Sequence, residues 1–231
     1  MPFIPGVTDD VMYFGIIILS MILGLATQAY IRSSYNKWSK VPVSTQVTGA
    51  QAARNMLDNA GLHHVRVEQV AGQLTDHFDP RANVLRLSEG VYDGRSVAAT
   101  AVANHEAGHA IQHAAGYGPA KLRAAIVPLA QFGSQMWVFL LVLGIAMNMT
   151  GLITAAIVLF AFAVGFQIVT LPVEFNASNR ALAAFAQQTG GQPGSTEYAG
   201  AKQVLTAAAL TYVAAALVSV LQLLYLLGRR D

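Results

Sequence analysis

The sequence predicts a mostly α membrane protein, with four transmembrane helices and one small α+β domain. Three observations lead there. Charged residues make up only 11% of the chain and apolar residues 54%, whereas a soluble domain carries roughly 25% charged residues. Four stretches, at residues 11–31, 126–147, 152–171 and 204–227, reach the roughly 20 mostly apolar residues that a helix needs to cross a bilayer. Finally, residues 32–123 collect 10 of the 14 Lys and Arg, 7 of the 12 Asp and Glu and all 6 His. A chain that gathers its ionisable groups in one stretch has its chemistry there.

Each element follows from local signals. The first span, residues 11–31, holds no charge, and Asp9 and Asp10 precede it where a secretory signal would carry basic residues. Thr48 is a good N-cap for a helix running to Asn59 and ended by Gly61. Val65, Val67 and Val70 suggest a short strand. A turn at 79–83 leads into a second strand at 84–87. Ser96 caps a helix that continues through Ala115 and stops at Gly116. The break at 148–151 makes a tight hairpin of spans two and three. A soluble segment, 174–202, with a loop at 189–194, then leads to the fourth span. That last segment either spans fully or packs against protein.

The expected organisation is therefore residues 1–31 (tail and first span), 32–125 (polar domain), 126–172 (hairpin), 173–203 (connecting segment) and 204–231 (fourth span and C-terminus). Basic residues mark cytoplasmic flanks. Arg32, Lys37 and Lys40 follow span one, and Lys121 and Arg123 precede span two. This orients the chain as a multi-pass protein of the cell membrane with its polar domain in the cytoplasm. Arg229 and Arg230 point the other way but form the smaller cluster. A net charge of +2 gives no case for a nucleic-acid partner. With no cysteine in the chain, a metal must be held by His, Asp or Glu.

One motif carries chemistry. His105-Glu106-Ala107-Gly108-His109 is H-E-x-x-H inside a strongly helical run. Residues four apart share a helix face, about 6 Å apart along the axis, so two imidazoles can converge on one zinc while the intervening Glu reaches its water. A catalytic zinc needs a third protein ligand and an open position. His113 is too far along, about 12 Å from His105 at ~1.5 Å per residue. It either faces the cleft or packs. After Glu106 the remaining carboxylates are Glu174, Glu197 and Asp231. Glu174 stands where the hairpin returns the chain to the side of the His105 helix, and the residues from 174 to 180 read as a helix with polar groups on one face. A lone Glu at such a boundary is also the ordinary helix-end charge. Glu197, in a Gly-rich stretch, is the weaker candidate. The expected metal is one Zn2+ per chain on His105, His109 and Glu174, and the polar domain becomes a small zincin-like catalytic domain.

At these residues the chain resembles the YugP-type neutral zinc metallopeptidases of bacterial membranes. The resemblance rests on YNKWSK at 35–40, QLTDHFDP at 73–80, LRLSEGVY at 85–92, LPVEFNAS at 171–178 and AALTYVAAA at 208–216. A more distant likeness is to the HtpX-type membrane proteases and the CAAX-prenyl endopeptidases, which share a strand, H-E-x-x-H, two spans and E-[FY]-x-A-D. Their Glu is the third zinc ligand, which implies the same for Glu174. Their Asp, which orients a zinc histidine, is replaced by Ser178, so Ser178, Asn179 or another residue takes that task.

The resemblance and the motif together imply peptide-bond hydrolysis, with Glu106 as general base. The substrate class is peptides or proteins, membrane proteins included, and the bilayer is the other partner. Charge on the tetrahedral oxygen calls for a second donor. Arg180, six residues past Glu174, and His77, beside Asp76 in an expected turn, are the candidates. The plainer readings are a surface cation near lipid headgroups and a loop-stabilising histidine. The strand at 84–87 is either an open edge that an extended substrate can join or an ordinary core strand. A non-enzymatic membrane adaptor with a structural metal is the competing function. A transporter is disfavoured, because no span carries an ionisable residue at mid-depth.

Overall fold

The computed structural model describes residues 7–228. Its elements, in chain order, are α1 (Val7–Trp38), α2 (Gly49–Asn59), β1 (Arg66–Val70), β2 (His77–Asp79), β3 (Val84–Ser88), α3 (Glu89–Tyr92), α4 (Val97–Ala114), α5 (Gly118–Ala146), α6 (Thr150–Thr189) and α7 (Thr196–Gly228). The chain forms two compact units. Of the described residues, one comprises 7–27, 121–171 and 211–228, the other 28–120 and 172–210. The fold class is the one expected, a mostly α membrane protein with a small sheet. Arg229 and Arg230 lie outside the described residues.

The first unit is made of helix. Helices α1, α5, α6 and α7 are each long and apolar enough to cross a membrane. Phe14, Met21 and Leu25 on α1, Phe132, Phe139 and Val142 on α5 and Leu224 on α7 are all exposed. Such apolar surface is unfavourable in water and natural in lipid. Inside the unit, helices approach through small residues, as membrane helices do. A Cβ on Gly133 would lie 2.6 Å from the Leu159 carbonyl oxygen, and one on Gly144 would lie 2.9 Å from the Ile153 nitrogen. Trp137 and Phe160 fill the same unit with ring centroids 4.4 Å apart. The α5–α6 hairpin turns in three residues, with the Met149 N–H donating to the Gly144 carbonyl at 2.8 Å.

The second unit holds the soluble elements. Thr48 caps α2 in a reciprocal capping box with Gln51. Ala52, Ala53, Met56 and Leu57 bury one face of that helix. Gly61 follows with φ +73°, which a side chain would resist. The sheet has the order β1-β3-β2, with β1 parallel and β2 antiparallel to β3. Asp79 accepts from the N–H groups of Arg81 and Ala82 and pairs with Arg86 at 2.8 Å, which closes the β2–β3 turn. Ser96 caps α4, receiving the Ala99 N–H at 3.2 Å. Phe185, Val97, Ala98, Ala101 and Val43 form a buried cluster around the foot of α4, closed by Trp38, whose indole N–H donates to Gln203 at 2.8 Å.

Three expectations need correction. Strand β3 is central, hydrogen-bonded on both sides, so it offers no open edge; Val84, Leu85 and Leu87 are fully buried in it. His77 lies in strand β2 rather than in a turn. Its run of His-Phe-Asp is too short and too polar to announce a strand. The segment after Pro172 is not a separate piece: α6 continues through Pro172 to Thr189, and α7 begins at Thr196. Proline removes one N–H and crowds one carbonyl, a loss that a long helix packed along its length absorbs. Phe185→Ala is expected to destabilise the protein by about 3–5 kcal/mol, seen as a lower midpoint in thermal unfolding in detergent. An unchanged midpoint would remove this cluster from the forces that hold the unit.

Candidate metal centre

Two helices of the second unit supply the site. On α4, Ala103, Asn104, Ala107, Gly108, Ala110 and Gln112 are buried, which leaves His105 and His109 on the adjoining face. On α6, Val173, Ala177, Ala181 and Phe185 form a buried stripe at helical spacing, with Glu174 and Ser178 beside it. The two backbones meet at Gly108. A Cβ there would sit 3.0 Å from the carbonyl oxygen and 3.3 Å from the Cα of Ala177. Glu174 and Ser178 flank that crossing on α6, and His105 and His109 flank it on α4.

The result is a convergent donor set. The Nε2 atoms of His105 and His109 are 3.2 Å apart. Oε2 of Glu174 lies 3.3 Å from the first and 3.6 Å from the second. A tetrahedral ion with ligands at about 2.0–2.1 Å spaces them about 3.3–3.4 Å apart, so the three atoms stand at ligand spacing. Among the described residues this is the one group of three or more His, Asp or Glu able to hold an ion. Glu174 is 3% exposed, which confines its charge to partners within the site.

The other imidazole nitrogens also have partners. Nδ1 of His105 faces the Ser178 hydroxyl at 3.2 Å. Nδ1 of His109 faces Oε1 of Gln112 at 3.0 Å. Gln112 was not foreseen, although its place three residues after His109 puts it on the same helix face. Glu106 is half-buried beside the pair. Burial pushes its carboxyl above the usual range, the two imidazoles oppose this, and Glu174 and Asp76 add to it. Burial alone would lower His109, but the facing Glu174 and Glu106 carboxylates and the Gln112 amide outweigh it and hold the ring above the ordinary histidine value. Asp76 was also unforeseen. Burial raises its carboxyl, which accepts from the Ser88 N–H at 2.8 Å and the Ser88 hydroxyl at 3.0 Å.

The remaining candidates lie outside the donor set. His77 is exposed on β2, its Nδ1 2.8 Å from the Thr75 carbonyl. Arg180 donates through Nε to Oδ1 of Asn176 at 2.9 Å. It also lines a cavity of about 260 Å³ with Met56, Asn59, Ile111 and Gln187. His113 packs its ring on Phe78, centroids 5.8 Å apart. Glu197 opens α7 and accepts from the N–H and hydroxyl of Ser44 at 3.3 and 3.1 Å.

Residues 13–230 match the model of a family described as "Putative neutral zinc metallopeptidase". The chain belongs to this family. It is 49% identical over 204 residues, 87% of this chain and 90% of the relative, to a Bacillus subtilis (strain 168) protein called "Putative membrane protease YugP". No solved structure matches the chain. The family's metal suits the donor set: two imidazoles and a carboxylate at tetrahedral spacing are typical zinc ligands.

Gly108→Val would force α6 away from α4 at the crossing and separate Glu174 from the imidazoles. We expect this variant to release zinc at chelator concentrations that wild type withstands, with helical content by circular dichroism retained. Undiminished zinc retention would show that the close approach is not what sets the spacing.

Proposed function

We propose that the protein is a membrane-anchored zinc metallopeptidase that hydrolyses peptide bonds at one zinc per chain, held by His105, His109 and Glu174. The observation that carries this reading is the spacing of those three donors. Three protein ligands leave a four-coordinate ion one position for water or substrate, the arrangement of catalytic rather than structural zinc. When bound, the ion supplies Lewis-acid polarisation of the scissile carbonyl and makes water acidic near neutral pH.

The chain's own residues do the rest. Glu106, next to His105 on the same turn of α4, takes the proton from water and delivers it to the leaving amine. His77 steadies the developing oxyanion. Its Nδ1–H is committed to the Thr75 carbonyl, so Nε2 donates only when the ring is an imidazolium. Arg180, the other candidate donor, directs its Nε at Asn176. An extended substrate joins the sheet at β2, an edge strand in the order β1-β3-β2. Backbone pairing of this kind suits peptides and proteins of loose side-chain preference, membrane proteins included. The basic residues at 32, 37, 40, 121 and 123 support an orientation with the catalytic unit on the cytoplasmic side of the cell membrane.

The test compares zinc content and peptide hydrolysis in detergent for wild type, Glu106→Gln and Glu174→Ala. Glu106→Gln should keep zinc and lose roughly 10²–10⁴-fold in turnover. Glu174→Ala should lose zinc. Wild-type turnover in Glu106→Gln would end the hydrolytic mechanism, and full metal in Glu174→Ala would end the third-ligand assignment. Oxyanion stabilisation by His77 predicts that His77→Leu lowers kcat with KM little changed, measured on one peptide at fixed pH. An unaltered kcat would remove His77 from the mechanism.

A further inference from the structure

We propose that Arg180 is a positioning residue for the metal centre, which acts on His109 through Asn176 and Gln112 and sets which nitrogen of that imidazole faces the metal. The inference rests on the reading that His109 is a zinc ligand.

One chain of hydrogen bonds links Arg180 to His109. An arginine Nε always donates and never accepts. Arg180 Nε lies 2.9 Å from the Asn176 side chain, so the atom it meets must be the amide oxygen. That fixes the orientation of an amide whose two ends are otherwise nearly alike in shape. The Asn176 oxygen in turn receives a second donor, Nε2 of Gln112 at 3.0 Å. The Val173 carbonyl, also an acceptor only, takes the same Gln112 nitrogen at 2.8 Å. With its nitrogen held by two acceptors, Gln112 presents Oε1 on the opposite side, 3.0 Å from Nδ1 of His109. An amide oxygen cannot donate, so Nδ1 carries the hydrogen. The lone pair then lies on Nε2, the atom 3.2 Å from Nε2 of His105 and 3.6 Å from Glu174.

Burial gives the chain its force. Gln112 is 1% exposed, so water is poorly placed to replace a lost partner, and a misoriented amide would leave unsatisfied polar groups in a low dielectric. Helical geometry supplies the layout. Residues 173, 176 and 180 share one face of α6, and Gln112 reaches across from α4. His105 has no equivalent chain, since its Nδ1 meets the Ser178 hydroxyl, which can turn to donate or accept. The control of the tautomer is therefore strongest at His109. Outer partners of metal-binding histidines typically contribute 10–100-fold to metal affinity. Because Val173 also holds Gln112, the share that passes through Arg180 is about tenfold, at the low end of that range.

The test is a double-mutant cycle on zinc affinity, measured by chelator competition on the full chain in detergent. Arg180→Met should weaken zinc about tenfold, at the low end of the range for outer partners, and Gln112→Met by more. In a Gln112→Met background, Arg180→Met should cost nothing further, because the chain is already cut. A residue that merely supports the fold would impose the same penalty in both backgrounds. Asn176→Leu provides a second cut point should Gln112→Met fail to fold, with the same expectation. Additive losses, or wild-type affinity in Arg180→Met, would overturn the proposal. If His109→Ala instead binds zinc as tightly as wild type, the metal-site reading itself fails, a result the cycle cannot imitate.

Discussion

The arrangement depends on one close approach of two backbones. Gly108 lies against Ala177, and nothing larger than hydrogen fits between the α4 backbone and the Ala177 carbonyl without displacement. Zinc-type coordination tolerates errors of only a few tenths of an ångström. Side chains as short as Glu and His span that gap only when the helices carrying them nearly touch. Small residues continue beside that crossing, Ala101 of α4 and Ala181 of α6 lying in one buried cluster. The site is thus a product of helix packing, and the donors occupy positions that the packing has already set.

The same packing explains the polar network around the donors. Burial makes each unpaired polar atom costly, and here the costs are met by a connected set that reaches from Ser178 and Gln112 to Asn176 and Arg180. Asn104, the residue before His105, forms a similar amide pair with Gln188, anchored on the Ala52 carbonyl of α2. Polar satisfaction and positioning are the same property in such a network. An imidazole with one nitrogen fixed by an acceptor has the other free for a metal.

What the sequence made legible was local. The capping residues Thr48 and Ser96, the stops at Gly61 and Gly116 and the apolar runs all report on their immediate neighbourhood, and the elements start and end close to them. Glu174 was legible because so few carboxylates follow Glu106. The misses were non-local. Three residues of β2 carry no periodicity, and the central place of β3 depends on pairing with β1, fourteen or more residues away in sequence. Gln112 reads as an ordinary helix residue until α6 is laid beside it. The third span was expected to end at 171, where the apolar run stops, and α6 runs on past it to Thr189.

The central claim is that two imidazoles and the Glu174 carboxylate share one ion. X-ray absorption at the zinc edge of the purified full-length protein tests it most directly. The account predicts a first shell of nitrogen and oxygen at about 2.0–2.1 Å, with the outer scattering of two imidazole rings, falling to one ring in His109→Ala. A shell with no imidazole scattering, or one left unaltered by that substitution, would contradict it.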